Sequence, residues 1–300
     1  MPKMIRLGIT LLLFLLTCVQ LAAQNKSSKQ PEIFGPGVLS VGEVFRGTFM
    51  PDGRTFYFFK KVTKDQEDYR IFRSRLVNGK WTDPERVNLG GDYSDLYSSI
   101  SSDGQRMVFS SYRPAPGDNS SKRNAYLWYV DRRGDGWGKP VFISAANILG
   151  YYHPGPQLGA GKEIYFRRIS PDWETSEGLI TRWNGTEYTK PELFQAGERW
   201  KGWRSDLHVG GGSPGPNENV IFLDVTYIDP QTKRRSKSDI WVSLKNQNKW
   251  TEPKPLGPGI NTDGWETFPF FSPDGKYLYF VRDFNTFYRI SLKEALRSVR

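Results

Sequence analysis

Phe268-Pro269-Phe270-Phe271-Ser272-Pro273-Asp274-Gly275-Lys276-Tyr277-Leu278-Tyr279-Phe280 reads as two aromatic-rich strands joined by a Pro-Asp-Gly turn. Asp and Gly tolerate the positive φ of a tight hairpin, and aromatic and β-branched residues favour a pleated surface. The pattern recurs. Met50-Pro51-Asp52-Gly53 precedes Phe56-Tyr57-Phe58-Phe59, and Ser101-Ser102-Asp103-Gly104 precedes Met107-Val108-Phe109. Two degenerate copies turn at Gly159-Ala160-Gly161, before Ile164-Tyr165-Phe166, and at Pro216-Asn217-Glu218-Asn219, before Val220-Ile221-Phe222.

Each hairpin leads to a third strand, such as Tyr69-Arg70-Ile71-Phe72 or Asp239-Ile240-Trp241-Val242. Four copies then turn, at Asn78-Gly79, Asp135-Gly136, Asn184-Gly185 and Asn246-Gln247-Asn248, into a fourth strand. That strand opens on an aromatic with a proline three residues on: Trp81 and Pro84, Trp137 and Pro140, Tyr188 and Pro191, Trp250 and Pro253. Proline cannot donate to a ladder, so this strand is an edge in every copy, as the outermost strand of a propeller blade is. The prediction is an all-β fold, a five-bladed β-propeller, with six blades as the alternative. Blades fall at approximately 44–90, 91–149, 150–197, 203–262, and 263–292 with 31–36. The fifth copy lacks its fourth strand, and Pro31-Glu32-Ile33-Phe34-Gly35-Pro36-Gly37 echoes Pro253-Lys254-Pro255-Leu256-Gly257-Pro258-Gly259. The N-terminal strand therefore closes the last blade, which removes two exposed sheet edges. Ser291 to Arg300 reads as helical.

The Ser-Pro-Asp-Gly hairpin and the Trp81-Thr82-Asp83-Pro84 and Trp250-Thr251-Glu252-Pro253 strands resemble the WD40-like propeller repeats of TolB-like exported proteins, over roughly residues 31 to 292. Five copies stand here against the six blades of TolB itself, and a shared fold does not carry a function with it.

Residues 1–23 read as a secretory signal peptide: Lys3 and Arg6, an apolar run from Leu7 to Val19, and a Leu21-Ala22-Ala23 exit before Gln24. The expected location is periplasmic or secreted. The alternative is a lipoprotein anchored through Cys18, at Leu15-Leu16-Thr17-Cys18. No later stretch approaches the ~20 apolar residues of a transmembrane span. Cys18 is the single cysteine, so the mature chain has no disulfide and must rest on its core. The net charge of +10 is spread, without a run of five basic residues, and an exported protein is not expected to meet nucleic acid.

Acids recur where the first strands begin: Glu43, Asp95, Asp206 and Glu266, with His153 or Tyr152 in the third copy. Bases recur where the second strands end: Lys60-Lys61, Arg113, Arg167-Arg168 and Arg282. The longest connections leave from the same face, and loops on a rigid scaffold are where binding residues gather. That face is the expected binding site, with His208 beside it and Trp203 and Trp265 able to stack on a sugar. The competing reading is that the repeated acids pair with arginines and maintain the repeat.

No metal or cofactor is expected, since His153 and His208 are the only histidines. No catalytic residue is assigned. Gly211-Gly212-Ser213-Pro214-Gly215 fits G-x-S-x-G, but the oxyanion hole needs an N–H on the residue after the serine, and Pro214 has none. The expected function is a monomeric, non-enzymatic binding module for an envelope protein segment or polysaccharide. The alternative is a glycan-active hydrolase or lyase using axial carboxylates.

Overall fold

The computed structural model describes residues 30–63, 67–118, 124–172, 176–194, 207–215, 219–232, 234–247 and 249–299, with 207–212 and 298 described by their backbone alone. Residues 1–23, expected to be a signal peptide and including Cys18, lie outside the described residues, as do Trp203 and Asp206.

Five antiparallel sheets, each a four-strand meander, form the five blades of a β-propeller. The inner strands are Val44–Phe49, Asp95–Ile100, Gln157–Leu158, Leu207–Pro214 and Glu266–Phe271. Second strands (Thr55–Lys61, Arg106–Ser111, Ile164–Ile169, Val220–Ile228, Tyr277–Arg282) and third strands (Tyr69–Val77, Tyr126–Arg133, Ser176–Thr181, Arg235–Asn246, Thr286–Ser291) follow outward. Among the described residues no helix is long and apolar enough to cross a membrane.

The repeat motifs take their meaning from hydrogen bonds. In the Ser-x-Asp-Gly turns, Ser101 and Ser272 Oγ donate to Asp103 and Asp274 Oδ1 at 2.6 Å, while the same hydroxyls accept from the N–H of Arg106 and Tyr277. Only the glycine is left-handed, with φ 69° at Gly104 and 67° at Gly275; the aspartate stays at negative φ because its carboxylate already organises the turn. At the outer turn of the second blade, Arg133 pairs with Gly136, so Gly134-Asp135 forms the corner, one residue before the expected Asp135-Gly136. Gly134, at φ 56°, supplies the left-handed position that such a corner demands.

The outer strands of the first, second and fourth blades are each broken into two short pieces near their proline, as at Lys80–Trp81 and Glu85–Arg86. In the first, third and fourth blades a Thr-x-Pro stands there, and its threonine holds the third strand. Thr82, Thr189 and Thr251 Oγ1 accept from the N–H of Arg75, Arg182 and Leu244. Ser74 and Ser243 Oγ donate to the carbonyls of Thr82 and Thr251 at 2.6 Å.

The N-terminal strand Glu32–Ile33 pairs with Arg289 and Tyr288 at the outer edge of the fifth blade, as expected. Phe34 continues it, donating its N–H to Phe287 O at 2.8 Å and packing its ring 4.9 to 5.9 Å from those of Tyr279, Phe56, Trp81 and Phe49. Fifth-blade and first-blade aromatics thus share one core, including Phe270 and Phe287. After the last strand, Leu292–Ala295 forms one α-helical turn capped by Ser291, followed by a 3-10 turn at Leu296–Ser298.

Candidate functional site

Four inner strands carry a β-bulge: between Val44 and Gly47, Leu96 and Ser99, Val209 and Gly211, and Thr267 and Phe270. Registers are therefore read from the strand ends, Phe49, Ile100, Leu158, Pro214 and Phe271. Five residues back stand Val44, Asp95, His153, Val209 and Glu266. Asp95, His153 and Glu266 share one register. Glu43 falls one residue before it and Asp206 three residues before it. A one-residue shift reverses the side a strand residue faces. Glu43 is accordingly exposed and reaches Lys61 at 3.9 Å.

The in-register acids are buried and paired. Glu266, 0% exposed, accepts from Arg282 Nε at 2.7 Å, Thr262 Oγ1 at 2.7 Å and Thr262 N at 3.0 Å. Asp95, 7% exposed, receives Arg113 Nη2 on both oxygens, at 3.0 and 3.1 Å. Arg113 also donates to Leu89 O and Ser111 Oγ. Burial pushes the Asp95 carboxyl up, against the pull of Arg113.

His153 is fully buried between Tyr126 and Phe166, and its Nε2 accepts the Ile148 N–H at 3.2 Å. Burial brings its pKa down to about 4. Arg168 turns away from it, onto Glu177 Oε2 at 2.6 Å. Trp265 is half-buried, 5.7 Å from the Phe284 ring. His208 lies on the inner strand of the fourth blade, opposite Thr226. These residues stand in separate blades rather than as one constellation.

What meets on the axis is a different set. Three residues back from the same strand ends are Arg46, Tyr97, Gly155, Gly211 and Phe268. Tyr97 and Phe268 hold left-handed φ of 56° and 52°, a conformation side chains seldom adopt, and the bulge re-aims them. Three residues on from the ladder partners of those strand ends (Phe56, Met107, Ile164, Ile221 and Leu278) are Phe59, Ser110, Arg167, Asp224 and Val281, so two blades carry charges where the others carry neutral groups. Asp224 of the fourth blade acts on both Arg46 of the first and Arg167 of the third, and Tyr97 of the second interacts with Tyr152 of the third. Burial lowers Arg46 to about 10 and raises Tyr97 to about 12. Phe268 N donates toward Asp224 Oδ2 at 3.4 Å. The signal was present in the sequence: an arginine six residues before Asp52 where Tyr97 and Phe268 stand six before Asp103 and Asp274, and two charges at a second-strand position that is neutral in the other blades.

From Arg46 a cavity of about 290 Å³ runs along the inner strands to the Asp-Gly turns, lined by residues of all five blades, from Ser98 and Gln157 to Pro214 and Phe270. It lies toward the face opposite the expected one, and among the described residues none of those expected from the sequence lines it. Hydroxyls and an amide lace its wall from blade to blade. Thr48 accepts from Ile100 N, Ser99 from Leu158 N, and Gln157 donates to Ser213, which donates to Pro269 O. At the same position the fifth blade has Phe270, packed against Phe49 at 6.2 Å. Among the described residues, the chemistry offered is a polar cleft without carboxylates, with the guanidinium of Arg46 at its floor.

No protein-family model matches the chain, and no curated protein matches it. Solved structures similar in shape include a GDP-Man-dependent mannosyltransferase from Leishmania mexicana, at 11% identity and TM-score 0.50, covering 95% of this chain and 96% of that one. A mannose phosphorylase from the same organism has 10% identity and TM-score 0.46, covering 92% of each chain. A gluconolactonase from Xanthomonas campestris has 10% identity and TM-score 0.46, covering 88% of this chain and 95% of that one. At such identities the likeness is one of fold, and it does not narrow the chain to the TolB-like repeat proteins.

Proposed function

We propose that this protein is an exported, non-enzymatic binding module that recognises a protein segment or an envelope polymer at the axis of its propeller. The observation that carries this reading is how the repeated acids are engaged. Asp95 and Glu266 are buried and hydrogen-bonded to Arg113 and to Arg282 with Thr262, which leaves neither disposed as a general acid or base. Glycoside cleavage calls for two available carboxyls flanking the scissile bond. The axial cavity, among its described lining residues, has no Asp or Glu.

The test incubates mature protein with envelope oligosaccharides and with soluble envelope proteins, and follows binding and product formation in the same samples. Saturable binding without product is the expected result. Turnover that Asp95→Asn or Glu266→Gln abolishes, in variants that still fold, would overturn the reading in favour of a glycan-active enzyme.

A further inference from the structure

Two groups in the axial cavity are poorly served by the protein itself. Arg46 is 6% exposed, makes no ion pair among the described residues, and has one hydrogen bond, a long 3.4 Å contact to Gly155 O. A guanidinium carries five N–H donors, and buried donors are costly to leave unmade. Ser98, 0% exposed on the neighbouring inner strand, has a hydroxyl with no partner. Both residues line the same cavity.

We propose that this cavity is a carboxylate site, anchored by Arg46, for a small hydroxylated monocarboxylate of the sugar-acid class. The proposal deepens the binding reading above and rests on it. Among the described residues, the charge of Asp224 acts on both Arg46 and Arg167, and Arg235 adds a further positive charge beside Arg167, so the surroundings favour an anion. The planar guanidinium also matches a carboxylate with two parallel N–H···O bonds. Hydroxyls are answered by Ser98 and by Thr48 and Ser99, which accept backbone N–H groups and leave their own O–H donors unused. Phe270 and Phe271 give the apolar surface that covers a sugar's C–H face. A cavity near 290 Å³ sits at the small end of ligand pockets, fitting one sugar residue better than a chain.

The experiment is calorimetric titration and thermal melting of the mature protein with glucuronate, galacturonate and gluconate, against glucose, acetate and inorganic phosphate. At least one sugar acid should bind tenfold or more tightly than glucose, and more tightly than acetate or phosphate. Arg46→Met should lose that binding at least tenfold, yet melt no lower than the parent without ligand, because it removes an undercompensated buried charge. Ser98→Ala should weaken binding severalfold without lowering the unliganded melting temperature, and it decides the matter if Arg46→Met does not fold. The inference is overturned by equal affinity for glucose and glucuronate, by tighter binding of phosphate, by no binding of any sugar acid, or by variants that bind as the parent does. Loss of this inference with polymer or protein binding intact leaves the broader reading standing.

Discussion

Glu32 and Arg289, 257 residues apart, face each other across a two-residue ladder, with Arg289 Nε donating to Glu32 Oε1 at 2.7 Å. The pair marks where the chain's ends close the ring, yet it is exposed, and an exposed ion pair contributes under about 1 kcal/mol. The closure rests instead on Phe34, 5% exposed amid four aromatic rings of two blades. Phe34→Ala should cost about 3–5 kcal/mol in urea unfolding and Glu32→Gln less than about 1. Deleting residues 24–37 should destabilise the whole propeller. A deletion variant that melts like the protein with residues 24–37 intact would show that the ring does not depend on its N-terminal strand.

Register separates acids that look alike in sequence. Glu266→Gln leaves Arg282 facing a neutral group in a buried site, and should cost about 3 kcal/mol. Glu43→Gln, one residue out of register and exposed, should stay within about 0.5 kcal/mol. Equal costs in denaturant titrations would mean that the two carboxylates do the same work.

The blades were legible because each is written in local chemistry: a glycine where φ is positive, a threonine beside a proline that interrupts a ladder, an aromatic at the outer edge. The closing strand was legible because it repeats the fourth blade's Gly-Pro-Gly. The axial site was not. Arg46, Tyr97 and Phe268 each stand six residues before the aspartate of their Asp-Gly turn, but the spacing does not say that a bulge lies beside them and re-aims them. Asp224 and Arg167 come from second strands of different blades, and no spacing along the chain places them together. Glu43 stands nine residues before Asp52, where Asp95 and Glu266 stand eight before Asp103 and Asp274, so it resembles them only in being an acid near a strand start.

Gly53 and Gly104 hold nearly the same φ, 67° and 69°, in equivalent turns, but with different surroundings. A methyl at Gly53 meets nothing within 4 Å, so Gly53→Ala should cost about 1 kcal/mol of backbone strain. At Gly104 it would come 3.0 Å from Met50 Cε and 3.1 Å from Pro51 Cδ, where the first blade's turn lies over the second's. Gly104→Ala should therefore cost about 1 kcal/mol more. Thermal melts in which the two alanines are indistinguishable would contradict this inter-blade contact.

His153 gives the fold an acid sensitivity whose sign is fixed by its burial. In the folded chain its imidazole protonates only near pH 4, while in the unfolded chain it does so near the ordinary 6.5. Between those values the unfolded chain binds more protons, so stability falls as pH drops from about 6.5 to 4 and then levels off for this group. The full effect is about 3 kcal/mol, at 1.36 kcal/mol for each pH unit. His153→Gln removes the titration whatever it does to stability overall. Its unfolding free energy, plotted against pH, should therefore be flatter than the parent's across this window. Parallel profiles would mean that the imidazole takes up its proton as readily inside the propeller as outside it.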